Sequence, residues 1–125
     1  MPVLIDSSLW VHQLRRSGDA GPRERVNQLL RSGEAAWCPP VRLELWRGVA
    51  GPAERKTLRA YEASLADFPI TAAVWELAIR LAAQGRQSGL TVPLADFLVF
   101  ACAQVHGLEL AHADHHFDRL AAVRA

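Results

Sequence analysis

VLIDSSLWV, residues 3–11, carries two structural signals end to end. Val3-Leu4-Ile5 is a continuous apolar run, too short for a helix and without the alternation of a half-exposed strand. It fits a central parallel strand covered on both faces. Asp6 closes it. From Ser7 onward the period changes, and Leu9, Val11 and Leu14 keep helical spacing as far as the Gly18–Gly21 turn. A strand that hands over to a helix in this way opens a right-handed crossover between parallel strands.

The alternation continues along the chain. Pro22 suits a first helical position, Glu24 favours the first turn, and Val26, Leu29 and Leu30 form an apolar face up to Gly33. Ala35 to Cys38 reads as a second strand, closed by Pro39-Pro40. A short helix is expected over Val41 to Arg47, between Pro40 and Gly48, and Pro52 opens a longer one. Phe68-Pro69-Ile70 is expected as a third strand. Thr71 then caps a helix carrying Val74, Leu77, Ala78, Leu81 and Ala82. From Leu94 to Val105 the chain is apolar nearly all round except at Asp96 and Gln104, the mark of a buried helix, and Gly107 ends it. Leu108 to Ala111 is the next strand, His115 to Leu120 a short helix, and Ala122-Val123 is expected as a last edge strand. The expected fold is three-layered α/β, with a central parallel sheet of about four to five strands flanked by helices. Residues 1–125 form one domain on this reading, since the chain has no repeat, linker or low-complexity segment.

Composition narrows the function. Half of the residues are apolar and 22% are charged, the balance of a water-soluble domain with its own core. No apolar run approaches the roughly 20 residues of a membrane helix, and no basic segment precedes the first apolar one, so a cytoplasmic protein is expected. Fourteen basic residues against thirteen acidic ones give a formal charge of +1, too little to wrap a long duplex by charge alone. Cys38 and Cys102 belong to no CxxC pair and read as buried thiols. Trp10, Trp37, Trp46 and Trp75 sit among apolar neighbours and read as core or interface residues. There is no Gly-rich phosphate loop, nucleophile elbow or HExxH.

The acids are the informative residues. In an open parallel sheet, function gathers beyond the carboxyl ends of the strands. Asp6 ends the first strand, Asp114 follows the strand Leu108 to Ala111, Glu44 lies in the helix after the second strand, and Asp96 opens the buried helix. Converging carboxylates repel, and a divalent cation is the usual remedy, with oxygen ligands favouring Mg²⁺ or Mn²⁺. Each acid also has a plainer use. Asp6 can cap the following helix, Glu44 can pair with Arg47, and Asp114 can be a turn residue. Asp96 is the hardest to explain away, because a buried lone carboxylate is costly. Ser8 can orient a carboxylate or act as a local cap. His112, His115 and His116 surround Asp114, but HADHH lacks the spacing of a structural zinc site.

Taken together these segments resemble the PIN-domain family and, within it, the VapC-type ribonuclease toxins of bacterial toxin–antitoxin pairs. VLIDSSLWV is similar to the family's first motif through Asp6 and Ser8, and RLELWRG carries its Glu at Glu44. PLADFLVFACAQVHG resembles the third motif through Asp96 and His106-Gly107, and LELAHADHHFDRLA the fourth through Asp114 and Phe117-Asp118. The fourth departs from the pattern: many relatives have Ser, Thr or Asn where His112 or Ala113 stands, and a further Asp at His116.

The resemblance implies a metal-dependent endoribonuclease. Asp6, Asp96 and Asp114 would hold one Mg²⁺, with Mn²⁺ as a substitute, and Glu44 with Asp96 a second once substrate phosphate arrives. It also implies an RNA substrate, a homodimer and a cognate antitoxin, with Leu9, Trp10, Leu14, Trp46 and Tyr61 as candidate partner surface. His116 is expected outside the inner sphere, as a phosphate contact. The alternatives are a PIN-type nuclease of RNA processing or DNA cleavage, and a catalytically impaired binding protein with the same fold.

Overall fold

The computed structural model describes residues 1–123. Four short strands, β1 (Val3–Ile5), β2 (Ala35–Trp37), β3 (Ala66–Asp67) and β4 (Glu109–Ala111), form one sheet in the order β3-β2-β1-β4. Every pairing is parallel. Helices α1 (Ser7–Leu14) and α2 (Ala20–Ser32) link β1 to β2, and α3 (Pro39–Arg47) and α4 (Pro52–Ser64) link β2 to β3. Helices α5 (Ala72–Gln87) and α6 (Leu94–His106) link β3 to β4, and α7 (His115–Ala121) follows. The arrangement is the expected α/β fold.

β1 is buried along its whole length, as an unalternated apolar run demands of a central parallel strand. The helices that precede β2 and β4 stop by the same device. Gly33 and Gly107 adopt left-handed φ values of 75° and 67°, and the next N–H turns back to a carbonyl of the last helical turn, Glu34 to Leu29 and Leu108 to Ala103. Each strand therefore starts at a defined point.

Three expected elements differ. Helix α2 begins at Ala20, ahead of Pro22, after a turn in which the Asp19 N–H donates to His12 Nδ1 and the Arg23 guanidinium donates to the carbonyls of His12, Arg15, Arg16 and Gly18. The third strand is Ala66–Asp67, not Phe68-Pro69-Ile70. Pro69 has no N–H to donate, and the Phe68 and Pro69 carbonyls contact Cys102 Sγ and His106 Nε2 of α6 instead. Ala122-Val123 is no strand: Ala122 caps α7, and Val123 packs on the core with its N–H on the Leu120 carbonyl. The sheet has four strands among the described residues.

The core joins both sides of the sheet. Trp10 and Trp37 are fully buried and pack with Tyr61 in tilted and edge-on arrangements at centroid distances of 5.3–6.4 Å. Leu9 and Trp10 are thus buried rather than available to a partner, and Leu14, Trp46 and Tyr61 pack against the core. Trp75 differs from the other tryptophans in being 51% exposed. Cys38 and Cys102 are buried free thiols, as expected.

Candidate metal centre

The strand order places β1 beside β4, while the chain leaves β1 toward β2 on its other side. Such a reversal opens a crevice at the carboxyl ends of the two strands. Ile5 pairs with Ala111, and the next N–H, that of Asp6, donates to the Ala111 carbonyl at 2.9 Å. The Ser8 hydroxyl accepts from the Ala113 N–H at 3.0 Å, tying the start of α1 to the turn that leads to Asp114.

Two of the plainer uses turn out to coexist with the site. Asp6 does cap α1, its Oδ2 accepting from the Ser8 N–H at 3.0 Å, yet its Oδ1 is buried with no hydrogen-bond partner. Asp114 caps α7 through Oδ1 and the His116 N–H at 2.9 Å. Glu44 makes no ion pair with Arg47 among the described residues; its Oε1 accepts from the Ser7 hydroxyl at 3.2 Å. Asp96, in the first turn of α6, is 4% exposed, and its Oδ2 has no partner.

Sequence reasoning passed over Ser7. The adjacent hydroxyls of DSS diverge on the first turn of α1, Ser7 to Glu44 on α3 and Ser8 to the turn before α7. The doubled serine was the available signal.

The three histidines separate. His112 Nδ1 accepts from the Asp114 N–H at 3.2 Å, with its ring 4.9 Å from that of Phe117. His115 is exposed. His116 Nδ1 lies 2.9 Å from Asp114 Oδ1 and 3.4 Å from Asp96 Oδ2, aligned for a hydrogen bond with neither. One ligand atom each from Asp96, Asp114 and His116 lie within 4.8 Å of one another. His116, expected as a phosphate contact outside the inner sphere, thus has its ring beside both carboxylates. Asp6 and Glu44 stand outside this tight set but near enough for their charges to act on Asp96.

The electrostatics follow from burial and like charge. Burial, then the charges of Asp114, Asp6 and Glu44, push the Asp96 carboxyl up to about 7 against the lowering effect of His116. Burial raises Asp6, and burial with the Asp6 charge raises Glu44. Burial works to raise Asp114 as well, but the N–H, ring and charge of His116 outweigh it and hold that carboxyl below its ordinary value. Buried carboxylate oxygens without donors, beside an imidazole nitrogen with a free position, fit a divalent cation. Glu44 also borders an open groove of about 1300 Å³ between α3, α5 and the start of α6, where Leu43, Trp75 and Leu94 are exposed.

Residues 3–123 match the family described as PIN domain. The chain belongs to the PIN-domain family. Ribonuclease VapC11 of Mycobacterium tuberculosis is 30% identical over 125 residues, covering 97% of this chain and 92% of its own. Ribonuclease VapC21 of the same species is 28% identical over 106 residues, covering 81% and 75%. Among solved structures, VapBC2 from Rickettsia felis, bound to a promoter DNA fragment, superposes with a TM-score of 0.78 at 18% identity, covering 95% of this chain and 92% of that one. Mycobacterium tuberculosis VapC20, described as a sarcin-ricin loop cleaving toxin, gives 0.75 at 19% identity, covering 98% and 96%. These structures share the fold, and the 30% relative sets this PIN domain with the VapC ribonucleases.

Proposed function

We propose that this PIN domain is an endoribonuclease toxin that hydrolyses RNA phosphodiester bonds and is neutralised by a cognate antitoxin. The carrying observation is the buried, unpartnered Asp96 carboxylate beside Asp114 and His116 at the sheet's crossover point, in a chain whose relatives are ribonucleases. Mg²⁺ or Mn²⁺ is the proposed cofactor, held by Asp96 and Asp114 with Asp6 alongside. The chemistry a bound cation supplies is activation of water and neutralisation of charge at the phosphoryl oxygens.

The protein groups have separable tasks. Asp6 and Asp114 each cap a helix, which fixes the carboxylate plane; Asp6 caps through Oδ2 and keeps Oδ1 free, whereas Asp114 caps through Oδ1, the oxygen that also faces His116 Nδ1. Glu44 is anchored through Oε1 by Ser7 and borders the groove, where its other oxygen would orient the attacking water. Its raised pKa suits it to take a proton there. Ser8 and His112 act on the main chain around Asp114, through the N–H groups of Ala113 and Asp114.

The protein is proposed to work in the cytoplasm as a homodimer. No helix among the described residues is long and apolar enough to cross a membrane. Sequencing the 5′ ends of cellular RNA after brief induction tests the activity. New ends are expected with the wild type and not with Asp96→Asn; identical patterns would sink the assignment. Co-expression with its cognate antitoxin should restore growth and yield a complex with two copies of this chain by light scattering. A harmless monomer would count against the toxin reading.

A further inference from the structure

We propose that His116 is an inner-sphere nitrogen ligand of the cation and tilts this centre toward Mn²⁺ over Mg²⁺. The inference rests on the metal-dependent reading of the site and goes further, since the related pattern places an acid at this position.

Three observations carry it. His116 Nδ1 approaches two carboxylate oxygens from different elements, Asp114 Oδ1 at 2.9 Å and Asp96 Oδ2 at 3.4 Å. Neither approach has hydrogen-bond alignment, so Nδ1 and Asp96 Oδ2 are both buried without a partner. A ring held by hydrogen bonds would aim its N–H at one oxygen; this one directs an unused position into the space between them. The ring is also placed by the backbone, because the His116 N–H is the donor to the Asp114 cap at the start of α7. His115 stacks on it at a centroid distance of 4.4 Å from the exposed side.

The donor type sets the preference. Mg²⁺ is a hard cation that favours oxygen and keeps its waters, whereas imidazole nitrogen binds Mn²⁺ and the later divalent metals better. Replacing an acid by a neutral ring also leaves two negative charges, from Asp96 and Asp114, in the tight set of three. That weakens the purely electrostatic attraction on which Mg²⁺ depends more than Mn²⁺ does.

Mn²⁺ added to the metal-free full chain, read by pulsed electron paramagnetic resonance, tests the ligand directly. The wild type should show hyperfine coupling to one imidazole nitrogen. His115→Gln should keep it, and His116→Asp and His116→Asn should lose it. In competition titrations His116→Asp should shift the Mn²⁺-to-Mg²⁺ affinity ratio toward Mg²⁺ by about tenfold. Mn²⁺ bound tightly but without nitrogen coupling would overturn the inference and leave the acidic centre standing. Coupling that survives in both folded His116 variants would overturn it too. If Mn²⁺ does not bind, with wild type and Asp96→Asn alike, the metal-dependent reading itself fails.

Discussion

Asp96 Oδ2 on α6 and His116 Nδ1 on α7 lie 3.4 Å apart, and neither has a hydrogen-bond partner. The two helices come from opposite sides of β4 in sequence, so only the closed fold brings these atoms together. In the protein alone their proximity is a cost. A carboxylate is buried among three others, with one imidazole beside it as partial relief. A site that stabilises its ligand by being unstable without it makes definite predictions about stability.

Metal-free Asp96→Asn should be more stable than the metal-free wild type above pH 7. The Asp96 carboxyl is raised in the folded protein from an ordinary 3.8 to about 7, so the native state binds the more protons across that window. Its contribution to stability therefore falls as pH rises from 4 to 7 and is constant above. Each unit is worth about 1.4 kcal/mol, which puts the full penalty on the order of 4 kcal/mol. Thermal melts should show a larger gain at pH 8 than at pH 5. An equal gain at both would mean that the Asp96 charge is not its source.

Metal affinity should run the other way. A cation needs Asp96 ionised, so affinity should climb by up to about tenfold per pH unit below 7 and level off above it. Calorimetry in buffers of different ionisation enthalpy counts the released proton. At least one is expected near pH 6, from Asp96 and from any protonated His116, and almost none near pH 8. Binding at pH 6 without proton release would show that Asp96 is no ligand.

Two acids of the candidate site were legible in the sequence because they follow apolar strands. Ile5 and Ala111 mark strand ends, and Asp6 and Asp114 follow them. What was not legible depends on tertiary partners. Phe68-Pro69-Ile70 is apolar enough for a strand, but its carbonyls are taken by Cys102 and His106, far along the chain. Leu9 and Trp10 fall on a helix covered on several sides, which periodicity alone does not distinguish from a one-sided face. His116 was expected outside the inner sphere because the four acids already supply enough oxygens; that its Nδ1 lies between Asp96 and Asp114 follows from how α7 docks on α6, which no spacing encodes.

Gly107→Ala should cost about 1 kcal/mol, because a side chain must enter the left-handed region at φ 67°. Gly107→Asn should lose less, since Asn tolerates that region. Gly33→Ala, at the matching turn before β2, should cost a similar amount. Chemical denaturation measures all three. A neutral Gly107→Ala would mean the helix-to-strand turn relaxes without strain.

Ser7→Ala and Ser8→Ala should damage the enzyme in different ways although they are neighbours. Ser7 donates to Glu44 Oε1, so its loss frees a carboxylate proposed to orient water and leaves the cation's ligands untouched. The expected result is a several-fold fall in turnover, about 1 kcal/mol for one hydrogen bond, at unchanged metal affinity. Ser8 receives the Ala113 N–H and helps hold the Asp6 carboxyl down against the effect of burial. Its backbone N–H stays on Asp6 Oδ2 in the variant, so the cap survives while the link to the Asp114 turn is lost. Metal affinity should weaken by about tenfold, the lower end of what supporting partners of a metal site contribute. The double variant should depart from the sum of the two losses, because Ser8 bears on Asp6 and the Asp6 charge acts on Glu44. Metal titration and turnover on all four proteins decide it. A Ser7→Ala that weakens metal binding as much as Ser8→Ala would place Glu44, rather than Asp114, next to the cation.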